Sequence, residues 1–420
     1  MAGGKGTRIR ELMPDVPKPM IEIDGKPVLQ REISCLKECG IKDMIITVSH
    51  MREKIMDYFG DGSAFGVNIE YFIEETPLGN AGALFHLRDR LTEDFLLLNA
   101  DSVFNVDFER FAGFHKRTGA MATLFTHPNS HPYDSALIIK NDDGSVENWL
   151  SKEDERPLYY DNRVNAGLHV INPAVLPFAE ENRRKLLSEG GAVKDPSKWD
   201  LDRDVLKPLC GTGKLFAYDS PEYVKDMGTP ERFRQVCRDH ALNIPFKKNL
   251  REKQRAVFLD RDGVINKEVG FCKSVSDFEL LPWAARNIKK INESGYLAIV
   301  VTNQPVIARG EATFAEVRLM HQKMAAELGK EGAYTDALYL CPHHPDSGFP
   351  GEVKELKIKC SCRKPAPGML LTAARDFNID LSESFIVGDS ERDIKAGEAA
   401  GLSGCFLTGT NEEWDPEDFL

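Results

Sequence analysis

The sequence predicts an α/β fold in two domains, on two observations. Short apolar runs such as Phe95–Leu98 and Val257–Leu259 alternate with stretches of helical spacing, and several end directly in an acid. Runs with no polar alternation suit strands buried on both faces of a mostly parallel sheet. The alternation also stops and restarts. Residues 243–254 are polar and basic, contain Pro245 and lack apolar periodicity, and strand-like runs resume at Ala256. That places one domain at 1–242, a linker at 243–254 and a second domain at 255–420, as 420 residues suggest.

Composition narrows the function classes. Hydrophobic residues are 42% and charged residues 29%, a globular balance with core enough for each half. The net charge of −12 and the lack of a long basic run argue against nucleic-acid and membrane-surface partners. Anionic substrates must then be held by local Arg, Lys and metal. No apolar run approaches a membrane span and no signal-peptide pattern is present. Nine cysteines, three of them grouped near histidines, point to a metal site in a reduced, cytoplasmic compartment.

In the first half, Gly3, Gly4, Gly6 and Thr7 form a loop whose amides can approach phosphates, with Arg8 adding charge. Lys18 lies between Pro17 and Pro19, on a stiff backbone suited to a fixed phosphate contact. Lys26–Cys39 has helical spacing; Met44–Val48 and Ile69–Phe72 read as strands. Gly79 and Gly82, in Glu74–Gly82, permit close approach of a planar base. Phe95–Leu98 leads to Asp101.

Gly-Gly-x-Gly-Thr-Arg followed by Pro-Lys-Pro resembles the sugar-1-phosphate nucleotidyltransferases, and later segments extend the resemblance. It implies a Rossmann-like mixed sheet. Glu74–Gly82 is similar to the family's base-binding loop, with Asn80 where Ser or Thr is common. Asp101 and Asp226, the latter in Asp-x-Gly-Thr-Pro, would be its Mg²⁺ ligands. Lys152, Asn165 and Gly167 would hold the sugar phosphate, and Arg8 and Lys18 the triphosphate. The family's glycine loop follows a central strand, whereas only Met1 and Ala2 precede Gly3. A first strand is therefore expected to be missing, leaving its neighbours unpaired on one side and a cavity between them.

In the second half, Asp260 and Asp262 stand just past a buried strand, with Gly263 turning the chain. Asp260 can attack phosphorus and Asp262 can exchange the proton, with Mg²⁺ relieving their repulsion. Thr302 ends a second strand, Lys364 offers a cation, and Asp389 ends a third strand with Asp393 following. In this order they resemble the four motifs of the haloacid dehalogenase superfamily phosphatases. The resemblance implies a Rossmannoid domain with Mg²⁺ at Asp260, Asp262 and Asp389. Cys341, His343, Cys360 and Cys362 suit a closed tetrahedral zinc site clamping the loop between them, with His344 as the alternative imidazole. That loop resembles the heptose-1,7-bisphosphate 7-phosphatases, with histidinol-phosphate phosphatases as rivals. Asn303, Arg309 and Arg363 would then contact the sugar or its retained phosphate, and Ser390 stands where a basic residue is common.

The two resemblances fit one route. A 7-phosphatase leaves heptose 1-phosphate, which a pyrophosphorylase consumes with a nucleoside triphosphate, GTP by resemblance. The alternatives are a pyrophosphorylase for another hexose 1-phosphate joined to a histidinol-phosphate-type phosphatase, or a sugar-nucleotide-binding regulator with a degenerate first half.

Overall fold

The computed structural model describes residues 15–193 and 195–420. Gly3, Gly4, Gly6, Thr7 and Arg8 lie outside the described residues. The chain forms two compact units. The first comprises Met1–Thr126, Ile138–Trp149 and Asn165–Phe246; the second comprises His127–Leu137, Leu150–Val164 and Lys247–Leu420.

Among the described residues of the first unit, a 3-10 turn at Lys18–Met20 leads into a hairpin, β1 (Glu22–Ile23) and β2 (Lys26–Pro27), turned at Asp24 and Gly25, both at positive φ. There follow α1 (Val28–Glu38), β3 (Asp43–Val48), α2 (Arg52–Phe59), β4 (Asn68–Ile73), α3 (Gly82–His86), β5 (Phe95–Leu98), β6 (Ser102–Asn105) and α4 (Phe108–Thr118). Then come β7 (Ala122–His127), β8 (Leu137–Lys140), β9 (Val146–Leu150), β10 (Val164–Ile171), α5 (Val175–Ser188), β11 (Leu215–Asp219), β12 (Tyr223–Asp226), α6 (Pro230–Ala241) and α7 (Ile244–Lys247). The helix and strands expected at Lys26–Cys39, Met44–Val48, Ile69–Phe72 and Phe95–Leu98 are all present.

The sheet is mixed, as expected. Strands run β11-β7-β10-β8-β9, with β5 antiparallel to β10 and β7 parallel to β11. β3 and β4 form a separate parallel pair, and β6 and β12 an antiparallel one. Among the described residues β3 is bonded only to β4 and β5 only to β10. Between them lies a cavity of about 610 Å³ lined by Ile33, Leu36 and Ile46 on one side and Leu96 and Leu98 on the other.

The second unit carries β13 (Ala256–Leu259), α8 (Ala284–Ser294), β14 (Leu297–Asn303), α9 (Pro305–Ala308), α10 (Phe314–Lys330), β15 (Ala337–Cys341), α11 (Gly368–Phe377), β16 (Phe385–Gly388), α12 (Glu391–Ala400) and β17 (Gly404–Leu407). Its five strands are all parallel, ordered β15-β14-β13-β16-β17. Central β13 shows why its sequence is continuously apolar. Val257 and Leu259 enter one core cluster and Ala256 and Phe258 the other, so both faces are covered. The stretch expected as a linker carries α7 together with buried Lys248 and Leu250.

Candidate active sites

In the second unit, β13, β14 and β16 deliver their chemistry at their carboxyl ends, where an open α/β sheet forms its crevice. Asp260 follows β13, Thr302 is the penultimate residue of β14 and Asp389 follows β16. Gly263 adopts φ +81°, and a Cβ there would lie 2.3 Å from Asp389 Oδ2. The glycine is thus required by the second acid as much as by the turn.

Lys364 is buried at the centre. Its Nζ lies 2.9 Å from Asp260 Oδ1 and 2.6 Å from Asp393 Oδ1, and donates to the Val301 carbonyl at 2.8 Å. Asp393 also caps α12 through the backbone of Ser390, at 3.1 Å. Ser390, which stands where a basic residue is common, is the N-cap of α12. Thr302 and Asp262 share one donor: Gln304 Nε2 reaches Thr302 Oγ1 at 2.8 Å and Asp262 Oδ2 at 2.9 Å.

Oxygens of Asp260, Asp389 and Asp393 lie within 4.8 Å of one another and could hold a cation. Burial raises the Asp260 carboxyl to about 6, with Lys364 opposing and Asp393 reinforcing the shift. The Asp262 carboxylate, expected to share the metal, is placed differently. It accepts from Arg261 at 2.7 Å and Asn266 at 2.9 Å as well as from Gln304, and stands outside the carboxylate cluster. Burial would raise its pKa, but Arg261 and these bonds outweigh burial and hold it below the usual value. Asp393, Gln304 and Arg261 were not assigned from sequence. Of these only Asp393, an acid four residues past a strand-ending acid, carried a readable signal.

Around the acids lies a cavity of about 400 Å³ whose walls include Asn303, Arg363, Arg392 and Glu268. Asn303 is fixed by Lys364, accepting from its amide at 3.1 Å and donating to its carbonyl at 3.1 Å. Arg363 donates to the His343 carbonyl at 3.2 Å. Arg309 is seated between the rings of Phe271 and Phe349, 4.4 and 4.3 Å from their centroids, and is not among the residues lining this cavity.

The cysteine cluster closes as expected. Cys362 Sγ is 3.3 Å from both Cys341 Sγ and Cys360 Sγ, and His343 Nδ1 is 3.5 Å from Cys341 and 3.3 Å from Cys362. His344 Nδ1 instead meets the Asp346 carbonyl at 3.3 Å, so His343 is the fourth member. One ion with bonds to sulfur of about 2.3 Å fits among such atoms.

In the first unit, Lys18 Nζ is 2.9 Å from Asp101 Oδ2. The β6–β12 register sets Asp226 opposite Ser102, bringing Asp226 to the same end as Asp101. Asp226 also pairs with Arg232 at 2.8 Å and accepts from the Gly228 amide at 2.8 Å. Thr229 then caps α6 with Pro230 first in the helix, so the motif serves both the acid and the helix start.

The base-loop glycines have a local cause. Gly79 is at φ +82°, and a Cβ there would lie 2.3 Å from the Trp199 carbonyl; at Gly82 it would lie 2.5 Å from Leu78 Cβ. Asn80 Oδ1 accepts from the Leu201 amide at 2.8 Å. Asn165 accepts from the Gly167 amide at 3.2 Å. Lys152, in the second unit, pairs with Asp134 at 3.4 Å.

Comparison with known proteins agrees with both halves. The nucleotidyl transferase family profile matches residues 1–240, and the HAD-hydrolase-like profile matches residues 361–417. The D-glycero-alpha-D-manno-heptose-1,7-bisphosphate 7-phosphatase of Photorhabdus laumondii is 42% identical over 158 residues, 38% of this chain and 84% of that one. The crystallised D,D-heptose 1,7-bisphosphate phosphatase of B. bronchiseptica, complexed with magnesium and phosphate, is 35% identical (38% of this chain, 83% of that one, TM-score 0.34). HddC of Yersinia pseudotuberculosis is 22% identical (57% of this chain, 96% of that one, TM-score 0.46). With its transferase profile spanning more than half the chain and 84% of the phosphatase relative covered, the protein belongs to the nucleotidyl transferase family in its first half and to the heptose-bisphosphate 7-phosphatase family in its second.

Proposed function

We propose that this chain performs two consecutive steps of nucleotide-activated heptose synthesis. The second unit removes the 7-phosphate of D-glycero-D-manno-heptose 1,7-bisphosphate. The first transfers GMP from GTP to the resulting heptose 1-phosphate and releases pyrophosphate. The observation that carries the reading is the Asp260–Lys364–Asp393 ion-paired centre, in a domain 42% identical to a heptose-bisphosphate 7-phosphatase.

Asp260 attacks the 7-phosphorus, and the sugar oxygen leaves with a proton from Asp262, which takes up that proton once bound substrate displaces the Arg261 and Gln304 bonds that hold the carboxylate ionised in the free chain. Water then cleaves the aspartyl phosphate, returning Asp260 and phosphate, with Asp262 taking the proton back. Thr302 and Lys364 hold the phosphoryl oxygens, and Asp393 holds Lys364 in place. Mg²⁺, for which Asp260 and Asp389 offer oxygens, supplies charge neutralisation. Cys341, His343, Cys360 and Cys362 would hold a structural Zn²⁺, since all four positions are taken by protein. Its bearing on catalysis is through Arg363, the residue after Cys362, which together with Asn303 and Arg309 is assigned to the sugar or its retained phosphate.

In the first unit the sugar-phosphate oxygen attacks the α-phosphorus of GTP, a transfer that rests on positioning and charge neutralisation. Asp101 and Asp226 would hold Mg²⁺, with Lys18 and Arg8 at the triphosphate. Gly3, Gly4, Gly6, Thr7, Gly79 and Gly82 shape the nucleotide site; Asn165 and Gly167 meet the sugar phosphate. No helix among the described residues is long and apolar enough to cross a membrane.

The test supplies heptose 1,7-bisphosphate, Mg²⁺ and a panel of nucleoside triphosphates to the full chain. Phosphate, pyrophosphate and GDP-heptose should appear together. Phosphate release from histidinol phosphate instead, or pyrophosphate release only with another sugar phosphate, would overturn the reading.

A further inference from the structure

The base loop Glu74–Gly82 does not hold its shape alone. The Trp199 amide donates to the Leu78 carbonyl at 3.0 Å and the Ala81 amide donates to the Trp199 carbonyl at 3.1 Å. Trp199 thus bonds the loop on both of its backbone sides, at the place where Gly79 leaves no room for a side chain. Its indole stacks on Phe85 of α3 with centroids 4.0 Å apart, and α3 begins at Gly82, the last residue of the loop. The other face of the indole is covered by the Arg183 guanidinium, 3.4 Å from the ring centroid. Arg183 is fixed in turn, donating to the Lys198 carbonyl at 2.7 Å and meeting Asp204 Oδ2 at 2.8 Å. Asp204 Oδ2 also accepts from the Asp200 amide at 2.9 Å. Arg183 and Asp204 are largely buried, at 11% and 12% side-chain exposure, so the pair is less screened than a surface ion pair. A cation–π contact in such a place contributes more than one in water.

We propose that Arg183, Trp199 and Asp204 are positioning residues: a clasp that sets the shape of the base loop and through it the affinity and choice of nucleotide. None of the three touches a reacting atom. The inference rests on the reading of Glu74–Gly82 as the base loop. The clasp lies wholly within the first unit. Its loss should therefore loosen nucleotide binding while leaving the other substrate and the phosphatase alone. Loop ordering is a cost otherwise met at binding, and removing the brace returns that cost to the nucleotide.

The test uses the full chain. Trp199→Ala should raise the KM for GTP about tenfold, narrow the ratio of GTP to ATP turnover, and leave the KM for the sugar 1-phosphate and the phosphatase rate unchanged. Trp199→Phe, which keeps a ring between Phe85 and Arg183, should restore most of the loss. Arg183→Gln, which opens no large cavity, should raise the KM for GTP several-fold and serves if the alanine variant folds poorly. An unchanged KM for GTP in both Trp199→Ala and Arg183→Gln overturns the clasp. So does an equal loss for both substrates. Photocrosslinking with 8-azido-GTP separates the two readings. Labelling of the 74–82 peptide together with unchanged KM values sinks the clasp alone, whereas labelling elsewhere removes the base-loop assignment and the clasp with it.

Discussion

Lys364 shows how a single residue makes the phosphatase centre possible. Three carboxylates packed within a few ångströms would repel one another in a buried site, and its ammonium faces two of them at ion-pair distance. The proposed nucleophile is nevertheless Asp260 alone. Asp260→Asn removes the attacking oxygen while preserving shape, so phosphatase turnover should fall by at least ~10³-fold, with pyrophosphate release from GTP unchanged. Substantial phosphate release by the variant would show that Asp260 is not the nucleophile. Gly263 is the second sensitive position. Gly263→Ala sets a methyl 2.3 Å from Asp389 Oδ2 and strains a left-handed backbone by about 1–2 kcal/mol. The acid must move, so a large loss of phosphatase activity should come with only a modest fall in melting temperature. A variant as active as the wild type would mean that Asp389 is free to shift without consequence.

The next scale is the loop and the strand end. The loop between Cys341 and Cys360 contains little that packs: its interior residues are mostly exposed or half-buried. Without a core, the cysteine cluster must supply its order, and metal affinity there is folding free energy. Zinc should therefore be found at one equivalent per chain. Cys360→Ser, or strong chelation, should lower the melting temperature and, by freeing Arg363, raise the KM of the phosphatase. A zinc-free protein with an unchanged melting temperature would refute this. At this scale much was legible in sequence. The run Val257–Leu259 declared a strand because both faces are buried, and the paired Cys-x-His and Cys-x-Cys spacing declared a cluster because each pair is local. Other features were hidden by tertiary contact. Nothing near Asp262 announces that its carboxylate turns to Arg261 and Gln304, since the direction of a side chain depends on a partner 42 residues away. Gly79 and Gly82 read as room for a base; that Trp199 and Leu78 also leave no space for a side chain there was not legible. Likewise His127–Leu137 and Leu150–Val164 lie in the second unit, held by contacts such as Arg163 to the Asp336 carbonyl, 173 residues away. Periodicity carries no information on such distant pairings.

Across the whole molecule, both units bury a histidine that burial keeps neutral, and each contributes to how the chain meets acid. His169 on β10 is 1% exposed, and burial lowers its pKa from 6.5 to about 4. His321 on α10, buried beside Arg261 at 3.1 Å, is lowered to about 3, by burial first and the Arg261 charge second. In each case the unfolded chain binds a proton at a pH where the folded chain does not. Stability then rises with pH across that interval, by about 1.4 kcal/mol per pH unit for each such proton. The contribution is fully present above pH 6.5. It is lost as the pH falls toward about 4 for His169 and about 3 for His321, and changes no further once both states are protonated. Denaturant unfolding of the full chain at pH 7.5, 6 and 5 should show both units weakening together, although their active sites differ. His169→Leu removes the proton but keeps an apolar core residue. It should lose less stability than the wild type between pH 7.5 and 5, by about 2 kcal/mol in the first unit, and leave the second unit's pH response as it was. Parallel pH curves for variant and wild type would show that His169 titrates normally, and that the acid sensitivity of the first unit lies in its carboxylates instead.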